Sequence, residues 1–398
     1  KIGLVRTRDG KSFLVPFILI TSLFFLWGVA HSILDVLNKH FQDTLEITRT
    51  RSALIQAVVY GGYFIMALPA GRIIRRFGYR TGVLTGLVLY GIGALLFIPG
   101  GRIQSFEFFL LALFVIGCGL TCLETASNPY VTVLGEPESS ERRINLAQSF
   151  NGLGWICGPL AGGFFLFAGG GDVTTPYAVL GTVVLCIAIL FSRVKLPEIG
   201  REAESEQAEA SGKSLWRTTS FTVGLLSLFL YVAAQTGINS FFINYATDGN
   251  WFDKPTATTL LSLGGLMLFM VGRVVGSLVM SRVKAEAVLV VCATATVVTT
   301  TIVVADCGAL SMGALIAGYF FESIMFPTIF ALSLRGLGEK TKRASSFLMM
   351  TPVGGAVGPW LMGWMADAHG MVLSFVVPLA GFVVVWIYSI FTLKNSKQ

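Results

Sequence analysis

Three carboxylates in this chain lie inside long apolar runs: Asp35, Glu124 and Glu322. Most of the other acids sit in polar stretches or at the ends of runs. An acidic side chain at the centre of an apolar helix costs about 2.5–3.5 kcal/mol on insertion scales, so such groups face a cavity or a partner and mark proton relays and binding paths. Around Asp35, the stretch His31-Ser-Ile-Leu-Asp35-Val-Leu-Asn38 puts His31 and Asn38 on the same helix face through i−4 and i+3 spacing. Reversible protonation is the chemistry this polar stripe supports. Glu124, in Cys122-Leu-Glu-Thr-Ala-Ser-Asn128, sits with Thr125 and Asn128, which offer donors and acceptors to a polar ligand. Glu322 is a candidate ligand contact, with a structural pairing to Arg273 as the alternative reading.

Neutral amides extend the pattern. Asn145, Gln148 and Asn151 follow one another along one helical face, and Gln235 and Asn239 form an i, i+4 pair. Each amide supplies both donors and acceptors. Sugar hydroxyls need both, together with aromatic surfaces for the C–H face of the ring. Trp27, Tyr63, Phe150, Trp155 and Phe326 are the candidate aromatics.

Enzyme signatures are absent. The three histidines form no H-E-x-x-H, and there is no phosphate-binding G-x-x-x-x-G-K-[ST] and no Gly-x-Ser-x-Gly elbow. The six cysteines fall in or at the ends of apolar runs with no metal-site spacing, which reads as small buried thiols. No cofactor or metal is expected.

The elements that must carry these residues are membrane-spanning helices. The 398 residues are 54% hydrophobic and only 13% charged, with a mean hydropathy of +0.73, against roughly 25% charged in a soluble domain. A spanning helix needs about 20 mainly apolar residues. Twelve runs meet that length, at roughly 14–38, 52–72, 81–99, 105–134, 143–168, 174–193, 217–247, 256–281, 285–305, 308–334, 341–367 and 369–393. They are too long and too uniformly apolar for the alternating strands of a membrane β-barrel. The net charge of +7 does not signal nucleic acid, because most Lys and Arg fall in every second connection. Only Lys39, Arg49, Arg51, Arg102 and Lys254 fall on the opposite side. This positive-inside bias predicts that both termini are cytoplasmic, in a multi-pass protein of a bacterial inner membrane.

The halves repeat. Glu124-Thr-Ala-Ser-Asn-Pro129 and Glu322-Ser-Ile-Met-Phe-Pro327 share E-x-x-x-x-P, followed by Leu134-Gly-Glu136 and Leu337-Gly-Glu339, and then by Gly158-Pro159 and Gly358-Pro359. Three matches in the same order indicate an internal duplication. The polar stretch 194–216 reads as a cytoplasmic linker between a six-helix bundle at 1–193 and a second at 217–398. Two six-helix halves related by an axis along the membrane normal describe the major facilitator fold, an all-α membrane architecture with a binding site expected between the halves near mid-membrane. Close-spaced glycines in the fifth and eleventh runs fit tightly packed helices.

At Phe24-Phe-Leu-Trp-Gly28 with Asp35, at Cys122-Leu-Glu-Thr-Ala-Ser-Asn-Pro-Tyr-Val-Thr-Val-Leu-Gly135 and at Asn145-Leu-Ala-Gln-Ser-Phe-Asn151, the chain resembles the fucose–galactose–glucose:proton symporter family of the major facilitator superfamily. Tyr231-Val-Ala-Ala-Gln-Thr236, Phe326-Pro-Thr-Ile-Phe330 and Ser345-Ser-Phe347 extend the resemblance over nearly the whole length. It implies that Asp35 is a proton-coupling aspartate, that Glu124 joins proton and sugar binding, and that Gln148 and Asn151 contact sugar. There are departures. Glu322 stands where the family is expected to be neutral. Gly71-Arg-Ile-Ile-Arg75 carries Arg where the superfamily loop has an acid. Gly154, Gly158, Pro159, Gly162 and Gly163 also fit a pattern of drug:proton antiporters.

The expectation is a monomeric proton-coupled monosaccharide symporter, with a hexose or deoxyhexose, protons and the lipid bilayer as its partners. Asp35 and Glu124 are its proton-coupling residues. Glu124, Asn128, Asn145, Gln148, Asn151, Gln235, Asn239, Glu322, His31 and Asn38 are its substrate contacts. A drug:proton antiporter of the same fold, a facilitative sugar uniporter and a sugar sensor are the alternatives.

Overall fold

The structure is a computed structural model and describes residues 5, 12–135, 140–168, 172–193, 215–280, 282–335, 337, 344 and 347–395. Among them the long helices are α1 (Leu14–Thr44), α2 (Leu54–Phe77), α3 (Tyr79–Leu95), α4 (Phe106–Val133), α5 (Ser140–Gly163), α6 (Thr174–Arg193), α7 (Thr219–Asp248), α8 (Met267–Met280), α9 (Ala285–Val304), α10 (Ala309–Glu322), α11 (Met325–Leu334), α12 (Gly354–His369) and α13 (Val376–Asn395). Counting the short turns that extend them, 11 are long and apolar enough to cross a membrane. The expected run 341–367 corresponds to α12, and much of its first part lies outside the described residues. The expected linker lies outside them too, apart from its last two residues.

Each helix follows from its apolar run and its terminal residues. Ser105 begins α4 by accepting from the Phe108 amide at 3.4 Å. Before α8, Asp253 accepts from the Thr256 amide at 3.3 Å, with Pro255 in the first turn, where its missing N–H costs nothing. The fifth run ends in a π-helical turn, Phe164–Ala168, and the eighth contains another, Leu260–Leu266. Large apolar side chains such as Leu68, Leu278 and Val291 stay exposed, as lipid-facing positions would be.

Contacts group the chain into two units, Lys1–His40 with Val58–Ser205 and Phe41–Ala57 with Glu206–Gln398. In the first unit α3 packs on α4 and α6. The Phe97 and Tyr177 rings stack there at 3.7 Å, and Phe109 closes the cluster. Between helices in lipid there is little hydrophobic driving force, so close packing and hydrogen bonds hold them. The crossing of α1 with α5 shows this. A Cβ on Gly28 would meet the Asn151 carbonyl and one on Gly154 the Phe25 carbonyl. Ser32 Oγ donates to the Gly28 carbonyl at 3.0 Å and to the Gly154 carbonyl at 3.3 Å.

In the second unit α7 is the central helix, packed by α11, α12 and α13, while α9 packs on α10 and α13. The segment Phe41–Ala57 belongs to this unit by contact. Asn244 Nδ2 donates to Gln42 Oε1 at 2.6 Å, and Gln42 Nε2 donates to Ser52 Oγ at 2.9 Å. Arg49 pairs with Asp248, Lys254 with Asp43 at 2.7 Å, and Thr50 Oγ1 donates to Asp367 at 2.6 Å.

Candidate functional site

The first unit gathers polar side chains from α1, α2, α4 and α5. On α1, His31, Asp35 and Asn38 are all buried, on the face their spacing defines. His31 Nε2 lies 2.8 Å from the Tyr63 hydroxyl of α2. Tyr63 also hydrogen-bonds the Glu124 carboxyl of α4. One tyrosine therefore links a base on one helix to an acid on another. Aromatic rings fix the histidine. Trp155 of α5 stacks on it at 5.9 Å and 10°, with Tyr60 and Tyr63 at 6.1 and 5.4 Å. Asp35 is 2% exposed and lies one turn, about 6 Å of helix rise, beyond His31.

Beside this run is a more open polar patch. Glu124, Asn128 and Gln148 are partly exposed, and Thr125 is exposed. Gln148 Nε2 donates to Asn128 Oδ1 at 3.3 Å, which joins α5 to α4. Asn151 is partly exposed and donates to the Phe24 carbonyl at 3.0 Å, so one of its amide hydrogens ties α5 to α1. Asn145 falls on α5, and its side chain lies outside the described residues, as does that of Arg75 on α2. Of the aromatic candidates, Trp27 is buried, while Phe150 is exposed beside Gln148 and Asn151 in sequence.

The second unit places Gln235 and Asn239 on α7. Gln235 is partly exposed, and Asn239 is buried with no hydrogen-bond partner for its Oδ1 among the described residues. Glu322 ends α10, 1% exposed. The Tyr231 hydroxyl donates to the Glu322 main-chain oxygen at 2.8 Å. Arg273, the expected structural partner of Glu322, has its guanidinium 5.1 Å over the Phe269 ring.

Two residues matter more than the spacing suggested. Tyr63 enters the sequence reading only as an aromatic surface, yet its hydroxyl makes the link. The Tyr60/Tyr63 pair on the face of a spanning helix is the signal that could have found it. Arg143, read as a cytoplasmic charge, is fully buried, and its Nε donates to the Val131 carbonyl at 3.0 Å, neutralising the end of α4. Among the described residues no cluster of His, Cys, Asp or Glu could hold a metal ion.

Among the described residues, 11 helices long and apolar enough to cross a membrane, several of them carrying carboxylates and amides, define a secondary carrier. The chain belongs to the Major Facilitator Superfamily, whose profile matches residues 13–351. It is 34% identical over 409 residues to the glucose/galactose transporter of Brucella abortus biovar 1 (strain 9-941), covering 98% of this chain and 97% of that one. It is also 34% identical over 423 residues to the L-fucose-proton symporter of Escherichia coli (strain K12), covering 98% of this chain and 96% of that one. The crystal structure of the superfamily transporter FucP in the outward conformation superposes with a TM-score of 0.69 at 34% identity, over 96% of this chain and 99% of that one. These relatives are transporters rather than enzymes.

Proposed function

We propose that the chain is a proton-coupled monosaccharide symporter of a bacterial inner membrane. It works as a monomer with both termini in the cytoplasm and imports a hexose or deoxyhexose by alternating access. The observation that carries this reading is the hydrogen-bonded run from His31 through Tyr63 to Glu124, next to the Asn128–Gln148 amide pair. The names of the Brucella abortus and Escherichia coli relatives, which cover nearly the full length, support sugar as the cargo and the proton as the coupling ion.

The run works because Tyr63 has one proton and two neighbours. When Glu124 is ionised, Tyr63 donates to the carboxylate and the His31 Nε2–H donates to the tyrosine oxygen. When Glu124 is protonated, it donates to Tyr63 and Tyr63 donates to a bare Nε2. Loading Glu124 thus reverses every hydrogen bond in the run without moving a heavy atom far, and it selects the tautomer of His31. Asp35, one turn further along α1, is the second carboxyl from which a proton enters. The other oxygen of Glu124 remains an acceptor for a sugar hydroxyl, while Asn128, Gln148 and Asn151 supply further acceptors and donors. Asn145 is assigned to the same face of α5. His31 and Asn38 complete the polar stripe of α1, and Gln235 and Asn239 are the sugar contacts of the second unit. No cofactor takes part beyond the proton.

A membrane potential of 100 mV provides about 2.3 kcal/mol per proton, enough at ~1.4 kcal/mol per decade for roughly 50-fold accumulation. The test is sugar counterflow in proteoliposomes with fucose, galactose, glucose, mannose and N-acetylglucosamine, repeated for the positive case as uptake under an imposed proton gradient. The expected result is exchange of a monosaccharide, with accumulation that Asp35→Asn and Glu124→Gln reduce toward a ratio of about one. Exchange with no accumulation would leave a uniporter. Full concentrative uptake by both variants would sink the coupling roles.

A further inference from the structure

Glu322 belongs to the second unit, whereas the run just described belongs to the first, and its setting is that of an ion site. It is the last residue of α10. Ser323 and Ile324 then interrupt the tenth apolar run before α11 begins at Met325. Pro327 accounts for the interruption, since it has no N–H for the Ser323 carbonyl and its ring crowds that oxygen. The C-terminal end of a helix carries partial negative charge. Glu322 adds its own carboxyl to that negative end, at 1% exposure. Among the described residues, Glu322 Oε1 has no hydrogen-bond partner.

Glu322 lines a small cavity with Thr296, Thr299 and Thr300 of α9 and Tyr319 of α10, the rest of the wall being apolar residues such as Ile238, Leu315 and Phe382. Thr296 Oγ1 already donates to the Ala293 carbonyl at 2.9 Å, and Thr299 Oγ1 to the Thr296 carbonyl at 3.2 Å. A hydroxyl has one proton, so these two have only lone pairs left to offer. The charged and titratable groups on the surrounding helices leave the carboxyl unneutralised. Tyr231 of α7 is bonded to the Glu322 main chain rather than to its side chain. Arg273 of α8 is not among the groups lining the cavity. Glu286, at the start of α9, pairs with Arg335. Tyr388 of α13 is bonded to Ser333, and α11 carries no titratable side chain.

A buried carboxyl oxygen without a donor, acceptor-only hydroxyls and a negative helix end all call for one thing, a small positive charge. We propose that Glu322, with the hydroxyls of Thr296, Thr299 and Thr300, forms a binding site for a monovalent cation, a proton or a sodium ion. Oxygen ligands of this kind suit a hard cation, and interrupted helices in carriers use their C-terminal ends this way. The site deepens the symport reading and rests on it for its meaning, as a second coupling ion held by the second unit. With it loaded, the carrier moves one more charge per cycle than Glu124 alone provides.

The test needs no sugar. The full chain carrying Asp35→Asn and Glu124→Gln is reconstituted on a solid-supported membrane, so that the two coupling carboxylates of the first unit are silent. Transient charge displacement is then recorded after an acid step and, separately, after a sodium step. The expected result is a saturating displacement on one of the two steps, lost when Glu322→Gln is added. A response to acid alone assigns the proton, and a response to sodium assigns sodium. Thr300→Val keeps the carboxyl and removes an acceptor, so it shifts half-saturation to higher ion concentration with the amplitude retained. It carries the test if Glu322→Gln fails to reconstitute. Silence on both steps, or a displacement that survives Glu322→Gln, would overturn the site. Failure of wild-type sugar counterflow would sink the transport reading and leave this signal untouched, so the two failures are distinguishable.

Discussion

Glu124 and Glu322 open the same motif, E-x-x-x-x-P, in the two halves of a duplicated sequence, and the chain treats them in opposite ways. Pro129 falls inside α4, which continues to Val133, and Thr125 Oγ1 back-bonds to the Thr121 carbonyl at 2.7 Å. Pro327 follows a break, and Ser323 Oγ turns to the Phe320 carbonyl at 2.7 Å, one residue nearer. The intervening residues explain where each carboxyl works. Thr125, Ser127 and Asn128 keep the first motif polar, and Glu124 faces an amide patch that is partly open. Ile324, Met325 and Phe326 make the second motif apolar, and Glu322 is shut away. A tyrosine attends each acid, but Tyr63 bonds the carboxyl of Glu124 while Tyr231 bonds the main chain of Glu322. The duplication has kept the carboxyl and changed what it answers to. One acid borders a partly open amide patch, and the other is enclosed.

Removing each tyrosine hydroxyl is the strongest way to break that comparison. A hydrogen bond to a charged group is worth about 1.5–3 kcal/mol, or roughly 10–100-fold in rate. Tyr63→Phe is expected to slow proton-driven uptake by that factor, because it cuts the run between His31 and Glu124. Tyr231→Phe removes a neutral bond to a carbonyl, worth about 1 kcal/mol, and is expected to lower thermal stability without that loss of coupling. Uptake under an imposed proton gradient, alongside melting in detergent, separates the two. Equal losses of uptake would mean that both tyrosines serve coupling.

A smaller effect comes from the glycines that let neighbouring helices reach these acids. A Cβ on Gly117 of α4 would lie 2.6 Å from the Val59 carbonyl. On Gly272 of α8 it would meet the Phe320 carbonyl and lie 2.6 Å from Ser323 Oγ, at the break beside Glu322. Overpacking of this kind costs about 1–3 kcal/mol. Gly272→Leu is expected to destabilise more than Gly117→Leu, since a carbonyl and the Ser323 side chain must both give way. Denaturant unfolding in detergent ranks them, and the reverse order would mean that the broken helix yields more easily than the continuous one.

The apolar runs and the polar stripe of α1 were legible in the sequence because each is a local or periodic signal. The interruption of the tenth run was half legible, since Pro327 marks it but Pro129 carries the same mark and α4 runs on. Periodicity put Gln148 and Asn151 on one face of α5, yet it could not say that Gln148 meets Asn128 while Asn151 reaches the Phe24 carbonyl. Those partners lie on other helices. Tyr63 was visible only as a ring, because its role depends on two partners far apart in the chain. The grouping of Phe41–Ala57 with the second unit rests on Gln42, Arg49 and Thr50 meeting Asn244, Asp248 and Asp367. No local pattern announces such distant pairings.

The smallest contrast lies at the entries to the last helix of each half, and pH exposes it. Asp172 caps α6, accepting from the Thr174 amide at 2.8 Å, the Thr175 amide at 3.2 Å and the Thr175 hydroxyl at 2.6 Å. At the matching place in the second half stands Gly370, with a φ of 95° and no side-chain cap. The Thr175 hydroxyl, aided by the Thr174 and Thr175 amides, holds the Asp172 carboxyl below its ordinary range. Such a depressed group contributes stability that is present above its unfolded value and lost as pH falls through its folded value. Asp172→Ala is therefore expected to cost about 0.5–1 kcal/mol at neutral pH, low in the range for caps because the site is exposed, with the gap to wild type closing in acid. Gly370→Ala forces a side chain into left-handed backbone and is expected to cost about 1 kcal/mol or more at every pH. Melting curves in detergent across the acid range check both. A gap for Asp172→Ala that stays constant into acid would show that the carboxylate's charge is not what holds the start of α6.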